Sequence, residues 1–536
     1  MSVENSTTQV QHGPHPKALA PANLALTAIL SVFGALVGMQ IMATLGVTPS
    51  TSLIGALVAM TLARVPLVFF RGFRNIHAQN LAQTSISSAT FGAANSLFLP
   101  IGIPYLFGLP NMIVPMLIGV SAAMLLDAWL LYRLYNTPAF PAKNPWPLGI
   151  AAAEAIKAGD SGGRQAKVLG VGLIAGIAGA VAGLPMSALG IAMLGGFAAM
   201  VAFGAGLLTR AYLPDLTGFD INAMYVPHGV MIGAGLIALF QVGRAVISAH
   251  RKSKDAGTDA DSLDANGAAR LGRSLGLGGI GYLVISLGLA LGTGLATQMS
   301  FGMLVGFILF AMAAAFVHEI IVGISAMHAG WFPAFAVALI TLIVGIMVGF
   351  PPEALVVLAG FSAATGPAFA DMGYDYKAGF LLRGENADPA FELEGRKQQM
   401  IAGMVGFITA IVVVAVSYNV YFAQGLTAPI DAAYVAAINA GVSAETARNL
   451  LIWAIPGAII QLVGGSKRQL GILLGTGLLI LSPKAGWLVL VGLILRVAYK
   501  RWKGEERAGD IGNFAGGVIA GDALYSFFSG AFKATR

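Results

Sequence analysis

Apolar runs of about twenty residues recur along this chain, each long enough to cross the ~30 Å hydrocarbon core of a bilayer as a helix. They begin near Ala22, Ser52, Gln79, Ile113, Val168, Met186 and Val226, and again near Ser274, Phe301, Phe332, Glu353, Met400, Ala444, Gln469, Ala485 and Ile511. The composition agrees. Of 536 residues, 57% are hydrophobic and only 10% charged, against ~25% charged in soluble domains, and the mean hydropathy is +0.79. A soluble fold of this length has too little interior to hide that surface. A soluble enzyme, a nucleic-acid-binding factor and a disordered protein are thereby excluded. The net charge of +7 sits in short basic clusters between the runs, the pattern of positive cytoplasmic loops. With no cysteine, there is no disulfide framework, thiolate metal site or cysteine nucleophile. The expected fold is an all-α integral membrane protein of about sixteen transmembrane segments.

Residues 1–21 are polar and read as a cytoplasmic tail rather than a signal peptide. A first transmembrane half follows over 22–249, then a hydrophilic connector over 250–273, then a second half over 274–536. Arg71, Arg74, Arg133, Lys143, Lys157, the cluster 250–254 and the cluster 500–503 are all accommodated with the N-terminus inside. Arg210 and Lys467-Arg468 break strict alternation, so at least one segment is expected to be re-entrant. Gly229 to Leu239 resembles Gly471 to Leu481, and Lys157-Ala-Gly159 resembles Lys377-Ala-Gly379. Both matches point to two homologous halves.

Helix breakers are concentrated. Pro100, Pro104 and Pro110 punctuate one run, Pro145 and Pro147 introduce a short half-helix, and Gly366-Pro367 interrupts another run. Broken helices at membrane depth are tolerated only around protein-lined or water-filled sites, and mark transporter binding sites. Ionisable groups there cost ~2.5–3.5 kcal/mol each on insertion scales. Gln79, Asn80 and Gln83 share a polar stretch that either lines a pathway or bonds between helices. Asp127, beside Tyr132 and Arg133, reads as an interfacial group, as does His228. His318-Glu319 lies well inside a span, where a ligand contact or proton relay is favoured. Glu154 and Lys157 stand at i and i+3, where they pair with each other or meet substrate. Asp522, in GGVIAGDALYSF, is flanked by apolar residues, as a coupling carboxyl or a helix-end carboxylate bonded to a neighbouring span.

Catalytic motifs fail. His318-Glu319 lacks the second histidine of H-E-x-x-H because position 322 is Val322. Gly276 to Gly281 fits G-x-G-x-x-G but opens a span, where close helix packing explains it. There is no G-x-x-x-x-G-K-[ST] and no filter-like loop or charged ring. Secondary transport remains, with a passive channel or facilitator for a small polar solute as the alternative.

NPWPLGIAAAEAIKAGDSGG, with Pro147, Gly149, Ala151, Ala153, Glu154, Ile156 and Lys157 in register, resembles a segment of the oligopeptide transporter (OPT) superfamily. Asn80, Gln83, Thr84 and Ser87 are similar to a second family stretch. Asp371, Lys377, Gly379 and the run Arg396 to Gln399 look like a third, and GGVIAGDALYSF like a fourth, with Asp522 where the family has Glu. The resemblance implies a proton-coupled, multi-pass importer in the cytoplasmic membrane, akin to the smaller prokaryotic members, for small peptides or metal–chelator complexes. The expected substrate-binding residues are Gln79, Asn80, Gln83, Glu154, Lys157, His318, Asp371, Tyr374 and Lys377, with Glu319 and Asp522 coupling protons. The expected partners are a small solute, protons and the bilayer, with a homodimer allowed. No cofactor, metal, nucleic acid or enzymatic activity is expected.

Overall fold

The computed structural model describes residues 13–45, 51–64, 74–161, 163–255, 262–330, 332, 334–441, 443–504 and 508–534. Among these residues there is no strand. The chain begins with α1 (Pro21–Leu45), α2 (Thr51–Ala63), α3 (Ile76–Phe91) and α4 (Leu99–Leu106), the last two joined by a π-helical stretch, Gly92–Phe98. Then come α5 (Ile113–Leu134), α6 (Pro147–Ser161), α7 (Gly163–Val181), α8 (Met186–Leu194), α9 (Phe197–Thr217), α10 (Val226–Asp255) and α11 (Ser262–Gly292). Next are α12 (Phe301–Ala329), α13 (Ala334–Val348), α14 (Pro352–Ala364), α15 (Pro367–Leu382) and α16 (Pro389–Ala423). The chain closes with α17 (Pro429–Ala440), α18 (Ala444–Arg468), α19 (Leu470–Leu479), α20 (Pro483–Lys503) and α21 (Ala508–Ala534).

Among the described residues, ten helical spans are long and apolar enough to cross a membrane, α3–α4 and α14–α15 each counting as one, and four shorter helices are apolar. Ile29 and Phe33, Val114 and Ile118, Val412 and Val416, and Leu451 and Ile455 stand exposed in pairs four apart. Such spacing puts each pair on one helix face, and apolar faces this extensive belong against lipid.

Most helices begin within a few residues of the apolar runs. The run from Met186 is two helices, because Gly195 and Gly196 adopt extended backbone between α8 and α9. The run near Met400 starts earlier, at Pro389, where the Asp388 side chain accepts the Ala390 and Phe391 N–H groups. The hydrophilic stretch expected as a connector is helical on both sides, α10 ending at Asp255 and α11 starting at Ser262. Residues 256–261 within it, and Arg71, lie outside the described residues.

Helices α7 and α10 pack along α21 and α18 respectively, while α8 lies on α20 and α9 on α19. Glycines permit these approaches. Gly176 of α7 abuts the Val518 backbone of α21, and Gly457 of α18 abuts the Val230 backbone of α10; a Cβ would force either pair apart. Gly229, Val230 and Gly233 meet α18 as Gly517, Val518 and Gly521 meet α7, while Gly471 abuts Gln461 of α18 and Gly477 abuts Phe203 of α9. Any closely packed helix pair needs small residues at that spacing, so the string alone does not identify its counterpart. Helix α15 lies among α3, α5, α6 and α12, at the middle of the molecule.

Candidate functional site

The Thr365-Gly366-Pro367 sequence breaks the span α14–α15. Thr365 is extended, Gly366 has φ +94°, and Pro367 opens α15 at a position where a missing N–H costs nothing. A side chain at Gly366 would be strained by that φ and would meet Val322. Just beyond this hinge, Asp371 and Tyr374 reach a cavity of about 740 Å³. Its other walls include Thr51 and Ser52 at the start of α2, Asn95 in the π-helical stretch, Ser187 of α8, Lys484 of α20 and Asp522 of α21.

The Asp371 carboxylate is held on one side only. Its Oδ1 accepts the hydroxyls of Ser87 (2.8 Å), Thr51 (3.1 Å) and Ser52 (3.4 Å). Its Oδ2 is buried without a hydrogen-bond partner among the described residues, and so is the Tyr374 hydroxyl. Burying such groups unpaired costs about 1–3 kcal/mol each, so a polar ligand group in the cavity is the natural complement. One turn on, Asp375 Oδ1 accepts the Ser52 hydroxyl (2.8 Å) and the Gln83 amide, and Asn80 donates to Gln83 Oε1 (2.9 Å). Across the cavity, Asp522 Oδ2 accepts the Ser187 N–H at the start of α8 (2.7 Å), and Lys484 Nζ donates to Gly183 O (3.0 Å).

Of the residues expected from sequence, Asp371, Tyr374 and Asp522 line this cavity, and Asn80 and Gln83 stand directly behind it through Asp375. The others are elsewhere. Gln79 borders a second cavity of about 350 Å³ with Arg64, Arg74 and Asp160. Glu154 and Lys157 pair with each other at 3.5 Å on a partly exposed face. Lys377 Nζ donates to Ala142 O (2.9 Å). His318 uses both ring nitrogens, towards Thr365 Oγ1 (3.2 Å) and Ala334 O (3.0 Å).

Two acidic residues were misread or missed. Asp127 is not interfacial: it is fully buried, accepting the Tyr282 hydroxyl (2.6 Å) and the Gly366 N–H (2.8 Å). Asp375 was passed over, although Asp375, Lys377 and Gly379 carry the Asp-x-Lys-x-Gly spacing that Asp371 does not.

An all-α chain with an apolar exterior, interrupted helices and a polar cavity where they meet has the build of a multi-pass membrane transporter. The chain matches the family model described as OPT oligopeptide transporter protein over residues 19–200 and 184–533. It belongs to that family, whose members transport oligopeptides or related solutes across membranes and are not enzymes. In a comparison with curated proteins no match was found.

Proposed function

We propose that the chain is a secondary active, proton-coupled importer carrying a small peptide or a peptide-like metal chelate across the cytoplasmic membrane. The observation that carries this reading is the cavity beyond the α14–α15 break, with Asp371 Oδ2 and Tyr374 OH on its wall and without a partner among the described residues. In this reading Asp371 takes the ammonium end of a zwitterion and Tyr374 a carbonyl, while Lys484 faces the carboxylate end. Asn80 and Gln83 hold Asp375 in place. Asp522 at the cavity edge and Glu319 beneath the hinge are the coupling carboxyls.

The fold in this reading has sixteen segments: the ten long spans, the four shorter apolar helices, and α20 and α21. It also has two homologous halves, α1–α10 and α12–α21, so that α11 stands between them rather than in the second half. Seven of the sixteen segments precede α11 and eight follow it, because α8 is too short to be counted where its counterpart α19 is. Three features support the halves. Breaks fall in corresponding 31-residue spans, α3–α4 and α14–α15; short helices opened by proline, α6 and α17, follow in corresponding places; and α7 packs on α21 as α18 packs on α10.

Purified protein in liposomes tests the function with trialanine, glutathione and a ferric hydroxamate chelate as probes. Accumulation that requires an inward proton gradient and collapses with a protonophore is expected. Uptake indifferent to the protonophore removes the coupling. A pore shows no counterflow of preloaded solute, and that result would favour the facilitator.

A further inference from the structure

Beneath the cavity, three helices converge on the hinge that carries Asp371. Asp127 of α5 holds the Gly366 N–H through Oδ2 and the Tyr282 hydroxyl of α11 through Oδ1. Glu319 of α12 interacts with both Asp127 and Tyr282. All three residues are at most 2% exposed. Neither carboxyl forms an ion pair with lysine or arginine among the described residues, and Glu319 Oε1 is buried with no hydrogen-bond partner there. The titratable groups facing the pair are Tyr282 from α11 and, at the preceding position of α12, His318, which is bonded to Thr365 of the same hinge.

We infer that Asp127 and Glu319 form a proton-binding pair that locks the Thr365-Gly366 hinge when it holds a proton and releases it when the proton leaves. The inference rests on the proton-coupled reading above and names where coupling acts. Two carboxylates in contact, away from water and without a cation, repel too strongly for both to be charged. Asp127 already receives two donors, so it is the charged member and Glu319 the carboxylic acid. Loss of the Glu319 proton to water converts its O–H to a carboxylate and sets a second negative charge beside Asp127. Separation of the two is the relief. Asp127 then gives up the Gly366 N–H, the only free donor the broken turn offers before Pro367, and α15 is freed at its first turn. Asp371 and Tyr374, one and two turns further on, move with it. A proton bound at one site thereby sets the geometry of the solute site without touching the solute.

Hydrogen–deuterium exchange of the peptide covering 361–372, in the full-length purified protein, tests this without any solute. Above the intrinsic base-catalysed rate, the wild-type hinge is expected to exchange roughly tenfold faster once Glu319 deprotonates, because exchange reads local opening. Glu319→Gln mimics the protonated acid, and as Oε1 holds no partner it is the variant expected to fold. Its hinge stays protected at every pH. Asp127→Ala removes the acceptor, and its hinge is open at every pH. A Glu319→Gln hinge that loosens with pH as the wild type does overturns the proposal. So does a wild-type hinge with no pH-dependent opening, whether or not either variant folds. Proton influx into wild-type proteoliposomes, driven by the same three probes, is read separately. A wild type that takes up solute without protons sinks the coupled-transport reading even where the hinge itself responds to pH.

Discussion

Glu392→Gln is the substitution whose effect the structure sets most directly. Glu392 serves two guanidinium groups at once: Arg383 Nε donates to its Oε2 at 2.7 Å, and Arg396 Nε lies 3.8 Å from its Oε1. Side-chain exposures are 0% for Arg383, 2% for Glu392 and 5% for Arg396. Glutamine keeps the shape and one acceptor but leaves two buried cations with no anion among the described residues. Breaking a buried pair in this way costs about 3–5 kcal/mol. The loss reaches the solute site, because Arg383 also donates to Gln399 Oε1 (2.8 Å) and Gln399 donates to Asp375 O (2.7 Å). At ~2.1 cal/mol/K per residue, unfolding all 536 residues carries about 1.1 kcal/mol/K, so Tm should fall by about 3–5 °C. If the helices persist after tertiary unfolding, the entropy is smaller and the drop larger. Thermal unfolding of detergent-purified protein is the assay, with exposed Glu394→Gln as the comparison and an expected shift under about 1 °C. A Glu392→Gln Tm no lower than that of Glu394→Gln would refute the argument that Glu392 neutralises the two arginines.

Other perturbations separate docking from solute contact. Gly373→Ala places a Cβ into the Trp146 ring, an overpacking that costs about 1–3 kcal/mol; it should lower Tm, and an unchanged Tm would mean that α6 yields freely against α15. Tyr374→Phe removes an unpartnered hydroxyl, so Tm without solute should hold while stabilisation by whichever probe binds the wild type weakens; an undiminished shift removes Tyr374 from the site. Asp522→Asn keeps an acceptor for the Ser187 N–H but cannot ionise. Gradient-driven accumulation should fall while counterflow persists, and accumulation with unchanged pH dependence would make Asp522 a helix cap only. His15 lies before α1 against the rings of His77 and Phe391, and burial pushes it below the ordinary histidine range. Its neutral form is therefore the docked one. The stabilisation is present above ~6.5 and lost as pH falls through the lower folded value, so residues 13–20 should gain proteolytic sensitivity on acidification. Sensitivity independent of pH in His15→Gln as well as wild type would discard that role.

The membrane helices were legible because a bilayer imposes a length and a polarity that any reader can count. The break at Gly366-Pro367 was legible for a similar reason: a residue free to take positive φ followed by one without an N–H is a local signal. The Gly195-Gly196 break was not, because apolar residues on both sides let one hydrophobic run continue through two helices. Asp127 failed differently. Its neighbours in sequence, Tyr132 and Arg133, suggested an interface, but the groups that satisfy it are Tyr282 and Gly366, 155 and 239 residues away. A carboxylate deep in a bundle is defined by such partners, and no local pattern encodes them.

The proposed halves add a constraint that neither sequence nor cavity supplies alone. Asn95 and Asp371 stand the same number of residues into their 31-residue broken spans, Ile76–Leu106 and Pro352–Leu382, and both line the cavity. Thr51-Ser52 and Ala334-Phe335, at the starts of α2 and α13, face it in the same paired fashion. In every such pair the polar groups have been distributed unequally. Asp371 is an ionisable carboxyl where Asn95 is an amide, and Thr51 and Ser52 offer hydroxyls to Asp371 where Ala334 and Phe335 offer none. A duplicated frame with equivalent sides would bind a symmetric solute. This one sets a carboxylate oxygen with no partner among the described residues, Asp371 Oδ2, on the α15 side, while across the cavity Asp522 is already bonded to the Ser187 N–H beside Lys484. A solute with unlike ends therefore has one favoured direction in the cavity, ammonium towards Asp371. The N-blocked form of a bound peptide should therefore lose far more affinity than its C-terminal amide, and equal losses would undo the assignment of Asp371 as the ammonium site.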